Sequence, residues 1–529
     1  MTAGPSPRPA AAREAATLLL AGLCFGASQQ LVVRELVSLL YGEEVVLLFV
    51  SAAALAAASL GYGLGARLSP RALARLLLAC GALLLLSPAL PRFAVAGLCL
   101  LRGDSGPELL LVLALLTFAA AAPFTAVVPA LLDRHEQPAN RLAALRRGYT
   151  CELVGFGLGS SAALALGGAP GLRFAVLAAA LVALVHVALD RRAVTFACTV
   201  AAALACATHA PLSQLGADLV YRHKHRLPGA QVLWSVDSPY QRVEVVTAPG
   251  RGRMLYLDGL RDLDDRDLGA LNHYLARAPA ALVRPQNALL IGNGTLSMVP
   301  ELSRMSDHLT TVELDAAVVD AGARFFTPGE PLARLANWRL VLADGKQYLA
   351  ATQRRFDLIA VDVPSPLTLG EAYLHTREFY ALCRARLNPG GVLAIQLSGP
   401  LGAPTRTPAR LVASLRAEFS EVMVADSETA DRAFAYAGDR LPFTAEALQA
   451  TAVAGERRLL VHTGPELERP DRRRDTLDPR RPRPRAPPRR RTPARALPLT
   501  LMPGALATHS FAAFAAAGLR ELATISALS

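Results

Sequence analysis

Short stretches in the second half of the chain set glycines and carboxylates where a nucleoside could be held and an amine deprotonated. Gly292-Asn293-Gly294 ends the apolar run 288–291, and glycines at such a place let the backbone approach a ligand closely. Glu313 closes the next apolar run. It lies about 20 residues on, the spacing at which an acid accepts hydrogen bonds from both ribose hydroxyls. Asp344-Gly345 follows a third run; an adenine amino group is often held there, and an ordinary turn reads the same way. Asp362 ends a fourth run and precedes Val363-Pro364-Ser365-Pro366. An acid before stiff prolines is either a general base in a fixed wall or a plain loop. Ser297 stands where a dinucleotide fingerprint has its third glycine. That argues against a pyrophosphate and for a mononucleoside such as S-adenosylmethionine.

These residues need elements to place them. Strands are expected at 288–291, 309–313, 339–342, 357–361 and 392–397, with helical stretches between them, notably 371–387. Strands alternating with helices predict a mostly parallel, doubly wound sheet that binds ligands beyond the carboxyl ends of its strands. Upstream, 231–236, 242–246 and 253–257 are β-rich, and Asp258-Gly259 is a turn signal. They predict a small antiparallel unit, followed by a helix over 268–278 that stops before Pro279. The fold class is a multi-span α-helical membrane domain, then an α/β, Rossmann-like methyltransferase-type sheet with a small N-terminal β unit.

Hydrophobic residues make up 52% of the 529 residues and charged ones 19%; part of the chain is expected in lipid. Candidate spans are 15–40, 45–64, 73–90, 109–131, 149–166, 171–189 and 193–208. Most reach the ~20 residues a bilayer requires, and they are too many for a cleavable leader. Their recurrent small residues, as in Gly155-Phe156-Gly157-Leu158-Gly159-Ser160, suit close helix packing better than a channel lining. Arg34, Glu35, Glu152 and His186 fall inside spans; such groups either function or pair within the bundle. Arg8, Arg13, Arg67, Arg71, Arg75, Arg134, Arg141, Arg146, Arg147, Arg191 and Arg192 gather on one side, which the positive-inside rule calls cytoplasmic. Seven crossings then put the next domain outside. A cytoplasmic domain, expected for a cytosolic co-substrate, requires that 193–208 not cross or that 93–101 cross too.

The net charge of +12 is local: residues 469–495 hold twelve Arg against three Asp. No nucleic-acid face is implied. The 7 Cys show no metal-ligand spacing, and no metal is expected. The chain divides into an N-terminal tail (1–14), a multi-span region (15–210), a globular domain (216–464), an Arg/Pro-rich disordered linker (466–498) and an apolar C-terminal segment of unknown role (499–529).

The ordered motifs resemble one family. They are Ser238-Pro239-Tyr240-Gln241, Leu257-Asp258-Gly259, Ile291-Gly292-Asn293-Gly294, Val312-Glu313-Leu314-Asp315, Ala343-Asp344-Gly345-Lys346, Asp357-Leu358-Ile359-Ala360-Val361-Asp362 and Thr376-Arg377-Glu378-Phe379-Tyr380. Together they are similar to the spermidine synthase-like aminopropyltransferases, in the bacterial branch fused to a multi-span membrane region. The resemblance implies that Gln241, Gly292, Gly294, Glu313, Asp344, Gly345 and Pro366 hold the thioadenosine part of decarboxylated S-adenosylmethionine or a relative. It implies that Asp362 takes the proton of an attacking amine. The chain also departs from the family. Thr295 replaces the acid of the glycine turn, Ser365 the second acid after the fourth strand, Asp262 a Gln, and Leu271-Asn272-His273 a Tyr-His-Glu. A desolvated diamine needs paired carboxylates, so a non-standard acceptor is expected.

The leading expectation is a transferase of polyamine-synthase type in the bacterial inner membrane, with an amine substrate, lipid contact, no nucleic acid and possible homo-oligomers. The alternatives are a nucleoside-sensing or transport-associated protein without turnover, and a methyltransferase-like enzyme using intact S-adenosylmethionine.

Overall fold

The computed structural model describes residues 7–467 except 42–43, 88, 104–107, 133–137, 267, 328–331, 367–368 and 402–405. The C-terminal apolar segment and nearly all of the Arg/Pro-rich linker lie outside the described residues, as do residues 1–6 of the tail.

The N-terminal half is helical: α1 (Pro7–Leu39), α2 (Glu44–Gly65), α3 (Pro70–Leu86), α4 (Ala89–Arg102), α5 (Glu108–Thr125), α6 (Val127–Leu132), α7 (Pro138–Ala165), α8 (Pro170–Leu189) and α9 (Arg192–His223). By length and composition, Ala11–Leu39, Val46–Gly65, Ala114–Leu131, Pro170–Leu189 and Arg192–His223 could each cross a bilayer. Helices α3 and α4 pass that test only as a pair, bent by 66° at the break between them. Small residues make the central contact. A Cβ on Gly22 or Gly26 would overlap the carbonyl oxygen of Glu152 or Phe156, and one on Gly155 or Gly159 that of Leu19 or Leu23. Only glycine lets the α1 and α7 backbones come this close.

The bundle has two distinct ends. At one, Arg13 on α1 bonds Val187 O at 2.7 Å and Asp190 at 2.9 Å, both past the middle of α8. At the other, the turn after α7 holds Gly167, where a Cβ would lie 2.9 Å from Asp237 O of the following domain, and Arg173 near the start of α8 pairs with Asp237. Segment 193–208 belongs to a single 32-residue helix whose last turns bury Tyr221 against Tyr256. Helix α4 stays at the second end, with Arg92 bonding Glu35 and Gly103 O accepting from Arg226. Segment 193–208 therefore lies in a helix long and apolar enough to cross, whereas α4 is so only together with α3.

Two sheets follow. Strands β1 (Gln231–Asp237), β2 (Arg242–Ala248), β3 (Arg251–Leu257) and β4 (Leu260–Asp264) form the antiparallel unit in sequential order. The large sheet holds β5 (Asn287–Gly292), β6 (His308–Glu313), β7 (Trp338–Leu342), β8 (Phe356–Asp362), β9 (Leu387–Gln396), β10 (Glu421–Ser427), β11 (Arg432–Gly438) and β12 (Leu459–Thr463). Its order is β12-β10-β11-β9-β8-β5-β6-β7. Strands β9-β8-β5-β6-β7 are parallel, while β10, β11 and β12 pair antiparallel. Leu289, Leu290, Ile359, Ala360, Leu393 and Ala394 are fully buried, as strands covered on both faces must be. Chain order reverses between β5 and β8, which opens a ligand crevice at their carboxyl ends.

The expected parallel strands are present, but two helices differ. Leu268–Asn272 passes into a π turn, His273–Arg277, and resumes as Ala278–Val283. The wider turn, with Ala278 N–H reaching His273 O, lets Pro279 stand at the start of a new helical segment rather than end the old one. The 371–387 helix is broken at Thr376, whose hydroxyl caps Arg377–Arg386 by accepting from Phe379 N.

Candidate active site

The crevice is built where β5 and β8 end side by side. Gly292 pairs with Asp362 in register, and its φ of +79° lies in the left-handed region. A Cβ there would overlap the carbonyl oxygen of Asp362, so glycine is required twice over. Gly294 is equally constrained, because a Cβ would strike the Val318 side chain and lie 3.2 Å from Glu313 Oε2. The turn therefore rides directly on the acid at the end of β6.

Asp362 is half-buried and close to the glycine turn. Asn293 Nδ2 donates to its Oδ2 at 2.9 Å, while Asn293 N donates to its carbonyl at 3.1 Å. Burial raises the carboxyl above the usual carboxylate range, and the Asn293 bond and the Arg432 charge pull it back down. A base whose carboxyl is raised by burial, with one anchoring hydrogen bond, suits proton transfer from an amine.

Glu313 Oε1 accepts from Leu314 N at 2.8 Å and Asp315 N at 3.0 Å, which leaves Oε2 beside Gly294. Burial pushes its carboxyl up to about 7, with the charges of Asp315 and Asp362 adding to the rise. Asp344 caps the helix Gly345–Ala351 by accepting from Gln347 N at 2.8 Å. Gly345 is needed because a Cβ would lie 2.6 Å from Ile291 Cγ2, under the turn. Gln241 donates to Asp315 Oδ2 at 3.2 Å and Ser238 donates to the same oxygen at 2.7 Å. Asp315 thus ties the β1–β2 turn to the β6 end. Ser365 and Pro366 are half-buried in the segment after β8. That segment is pinned by Gln396, donating to Val363 O at 2.8 Å, and by His375, whose Nε2 donates to Pro364 O at 3.1 Å.

The positions that depart from the family fall into two groups. Thr295, buried at 3% exposure, is inside a neutral network. Its hydroxyl lies 3.1 Å from Ser297 Oγ, which donates to Asn272 Oδ1 at 3.0 Å, and Asn272 Nδ2 donates to Ser297 O at 3.2 Å. These groups satisfy one another and support the turn. Asp262 is different. Leu255 pairs with Leu263 and Tyr256 with Arg261, so Asp262 is the extra residue of a β-bulge; bulges re-aim a side chain. Burial pushes its carboxyl up to about 7, and the charge of Asp362 is the next cause, with Glu313 and Glu371 adding to it against Arg432. The bulge residue Asp262 therefore lies within electrostatic range of Asp362.

Sequence reasoning missed several contributors. Asn293 stood in the glycine turn, and an Asn between two glycines, a residue type that tolerates the left-handed region it adopts at φ +58°, was a legible signal. Arg432, whose Nη1 donates to Gln396 Oε1 at 2.8 Å, depends on β11, a strand that was not expected, whereas Gln396 lay in an expected strand without being singled out. His375 was hidden in an apparently continuous helix.

The spermine/spermidine synthase domain family matches residues 270–421. The polyamine aminopropyltransferase of Thermoplasma acidophilum is 30% identical over 195 residues, 36% of this chain and 71% of that protein. That of Nitrosomonas europaea is 34% identical over 200 residues, 36% of this chain and 60% of that protein. A crystal structure of spermidine synthase with the transition-state analogue AdoDATO superposes over 41% of this chain and 77% of that one, at 21% identity and a TM-score of 0.38. Spermidine synthase from Thermotoga maritima gives 22% identity and a TM-score of 0.37, over 41% and 76% of the two chains. The aligned part spans about two thirds of the curated relatives' length, and the matched sequence contains the glycine turn, Glu313, Asp344 and Asp362. The chain belongs to the polyamine aminopropyltransferase (spermidine synthase) family.

Proposed function

We propose that this protein is a membrane-embedded aminopropyltransferase that uses decarboxylated S-adenosylmethionine and an amine acceptor. The acceptor's neutral nitrogen attacks the aminopropyl carbon next to sulfur. The new C–N bond forms as the C–S bond breaks, methylthioadenosine leaves with the bonding electrons, and Asp362 takes the proton from the nitrogen. The sulfonium is already activated, so the chain need only orient the reactants and hold a base. Glu313 would hold the ribose, Asp344 and Gly345 the adenine edge, and Gln241 and Pro366 the walls of the thioadenosine slot.

The observation that carries the reading is the placement of Asp362 against the glycine turn, with Asp262, Glu313 and Glu371 close enough to shift one another's charge. The same cluster disfavours intact S-adenosylmethionine, whose carboxylate would be repelled, and favours the decarboxylated form and a cationic acceptor. With Thr295 and Ser365 neutral, Asp262 and Glu371 would receive the acceptor's second charge. That is not where the family places it, so a simple putrescine pose is not expected. Calorimetry on the full chain in detergent tests this. Binding of the decarboxylated co-substrate, with weaker or no binding of the intact one, is expected; binding of neither sinks the reading.

Membrane residence is supported by apolar side chains left uncovered on the helices, among them Leu55 (70% exposed), Phe196 (72%) and Leu101 (83%). The inner membrane with a cytoplasmic catalytic domain is the reading consistent with a cytosolic co-substrate. The bundle end that meets this domain carries Arg34, Arg222, Lys224 and Arg226 and is opposite the arginine-rich end, so this orientation rests on the cytosolic co-substrate and not on the positive-inside rule. An Arg354→Cys variant should react with an impermeant maleimide only after permeabilisation. Reaction in intact cells, beyond that of the unsubstituted chain, would place the domain outside.

A further inference from the structure

The β1–β2 turn carries Gln241 and is gripped from two directions. Ser238 N donates to Gln241 O at 2.9 Å, closing the turn, and Ser238 Oγ accepts from Tyr240 N at 3.1 Å and Gln241 N at 3.0 Å. On the sheet side, Ser238 and Gln241 bond Asp315. On the other side, Arg34 of α1 donates to Pro239 O at 2.8 Å. The two residues that flank the turn, Asp237 and Arg242, are register partners joined by an ion pair at 2.7 Å. Each is also paired with a helix: Asp237 with Arg173 on α8, and Arg242 with Glu35 on α1 at 2.7 Å. Glu35 is bonded by Arg92 of α4 as well. Glu35, Arg92, Arg173, Asp237 and Arg242 are all under 10% exposed. Helix α1 touches the neighbouring turn too, since a Cβ on Gly259 would overlap Ser38 O.

Buried ions this closely paired are geometrically demanding, because each charge is costly to desolvate and tolerates little displacement of its partner. They run from the helices into the base of the turn, while Arg34 reaches its outer edge. We propose that the helical region is a working part of the nucleoside site, with Arg34 as a positioning residue that holds the Ser238–Gln241 turn against Asp315, braced by the Glu35–Arg242–Asp237–Arg173 chain. The proposal rests on the thioadenosyl reading of this site. It makes the helices more than an anchor: a rearrangement at this end of the bundle would be felt as altered affinity for the nucleoside.

The test uses the full chain in nanodiscs with 5′-methylthioadenosine as probe. Arg34 is partly exposed, so Arg34→Met should fold with an unchanged melting temperature. It should weaken methylthioadenosine binding about tenfold, the scale of losing a hydrogen bond from a charged donor. It should also speed hydrogen exchange at the Tyr240 and Gln241 amides without ligand, and raise KM for the donor while kcat stays within twofold. Arg34→Lys, which still donates to Pro239 O, should restore binding and slow exchange. Wild-type affinity and exchange in Arg34→Met would overturn the proposal. So would a loss accompanied by a lower melting temperature and not restored by lysine. If the wild-type chain itself fails to bind the probe, the thioadenosyl reading fails and the proposal falls with it.

Discussion

Replacing Asp362 by Asn changes one proton-accepting oxygen and almost no volume. Asn293 Nδ2, which donates to Asp362 Oδ2 at 2.9 Å, still finds an acceptor in the amide oxygen, so the glycine turn should hold its shape. The reaction loses its base. A positioned general base contributes about 10²–10⁴ in rate, or roughly 3–5 kcal/mol of barrier at ~1.4 kcal/mol per tenfold. The variant should therefore keep methylthioadenosine affinity within a few-fold and lose at least about a hundredfold in kcat. A second readout follows from electrostatics. The charge of Asp362 helps to raise Asp262 and Glu313, so its removal should move both carboxyls down. In the wild type, burial raises Asp362 itself, and kcat/KM should fall on acidification at a pH above the ordinary carboxylate range. That acid limb should be missing from the residual activity of the variant. The assay is single-turnover formation of methylthioadenosine across pH, beside calorimetry on the same preparations. Turnover within tenfold of wild type, or an unchanged acid limb, would refute the assignment of Asp362 as the base.

Asp262→Asn should raise KM for the amine acceptor by an order of magnitude while sparing methylthioadenosine affinity, measured by steady-state kinetics and calorimetry; an unchanged acceptor KM would remove Asp262 from the substrate side. Glu313 has a sign that can be worked out. Its carboxyl is raised from 4.5 to about 7 in the folded chain, so the fold holds that proton more tightly than the unfolded chain does. The resulting stability is fully present below about pH 4.5 and is lost as pH climbs to about 7, with a ceiling of about 3 kcal/mol. Glu313→Gln should flatten the fall in denaturation midpoint between pH 5 and 8, and an unchanged slope would contradict it. Gly155→Leu forces a side chain into the Leu19 carbonyl. It should cost about 1–3 kcal/mol or more, seen as a lower melting temperature in detergent; no change would mean that α1 and α7 do not pack as described.

Much of this site was legible because the chemistry sits at strand ends. Gly292, Glu313, Asp344 and Asp362 each follow an apolar run, and the parallel sheet that those runs predict brings their ends together. Local signals failed where the determinant was a pairing rather than a composition. Strand β11, Arg432–Gly438, interleaves three alanines with Phe434 and Tyr436, a mixed β signal. Its pairing with β9 and β10 makes it a strand and delivers Arg432 to the crevice. Asp262 gave no sign of a bulge, because the extra residue is defined only against Leu255 and Tyr256 across the hairpin. The ionisable residues in the helices were equally ambiguous. Glu152 proves to be held within the bundle by Tyr62, whose hydroxyl donates at 2.7 Å, whereas Glu35 pairs across a sequence separation of 207 with Arg242. No pattern within α1 or α7 distinguishes the two cases.

The departures from the family form a coherent electrostatic arrangement. A site that must desolvate a cationic acceptor needs negative charge nearby, and it also needs a rigid turn under the sulfonium. In this chain the two tasks are separated. Thr295, Ser297, Asn272 and Asn293 form a neutral, mutually bonded network that stiffens the turn. The acidic groups within electrostatic range of one another are instead Asp262 from the β unit, Glu371 beyond β8, Asp362 and Glu313. Because Asp262 belongs to the β unit, its position depends on the hairpin that α1 touches at Gly259. On the proposed reading, the acceptor side and the nucleoside side of the crevice are both built on elements that the helices contact, which gives the helical region a physical reason to be part of the same chain.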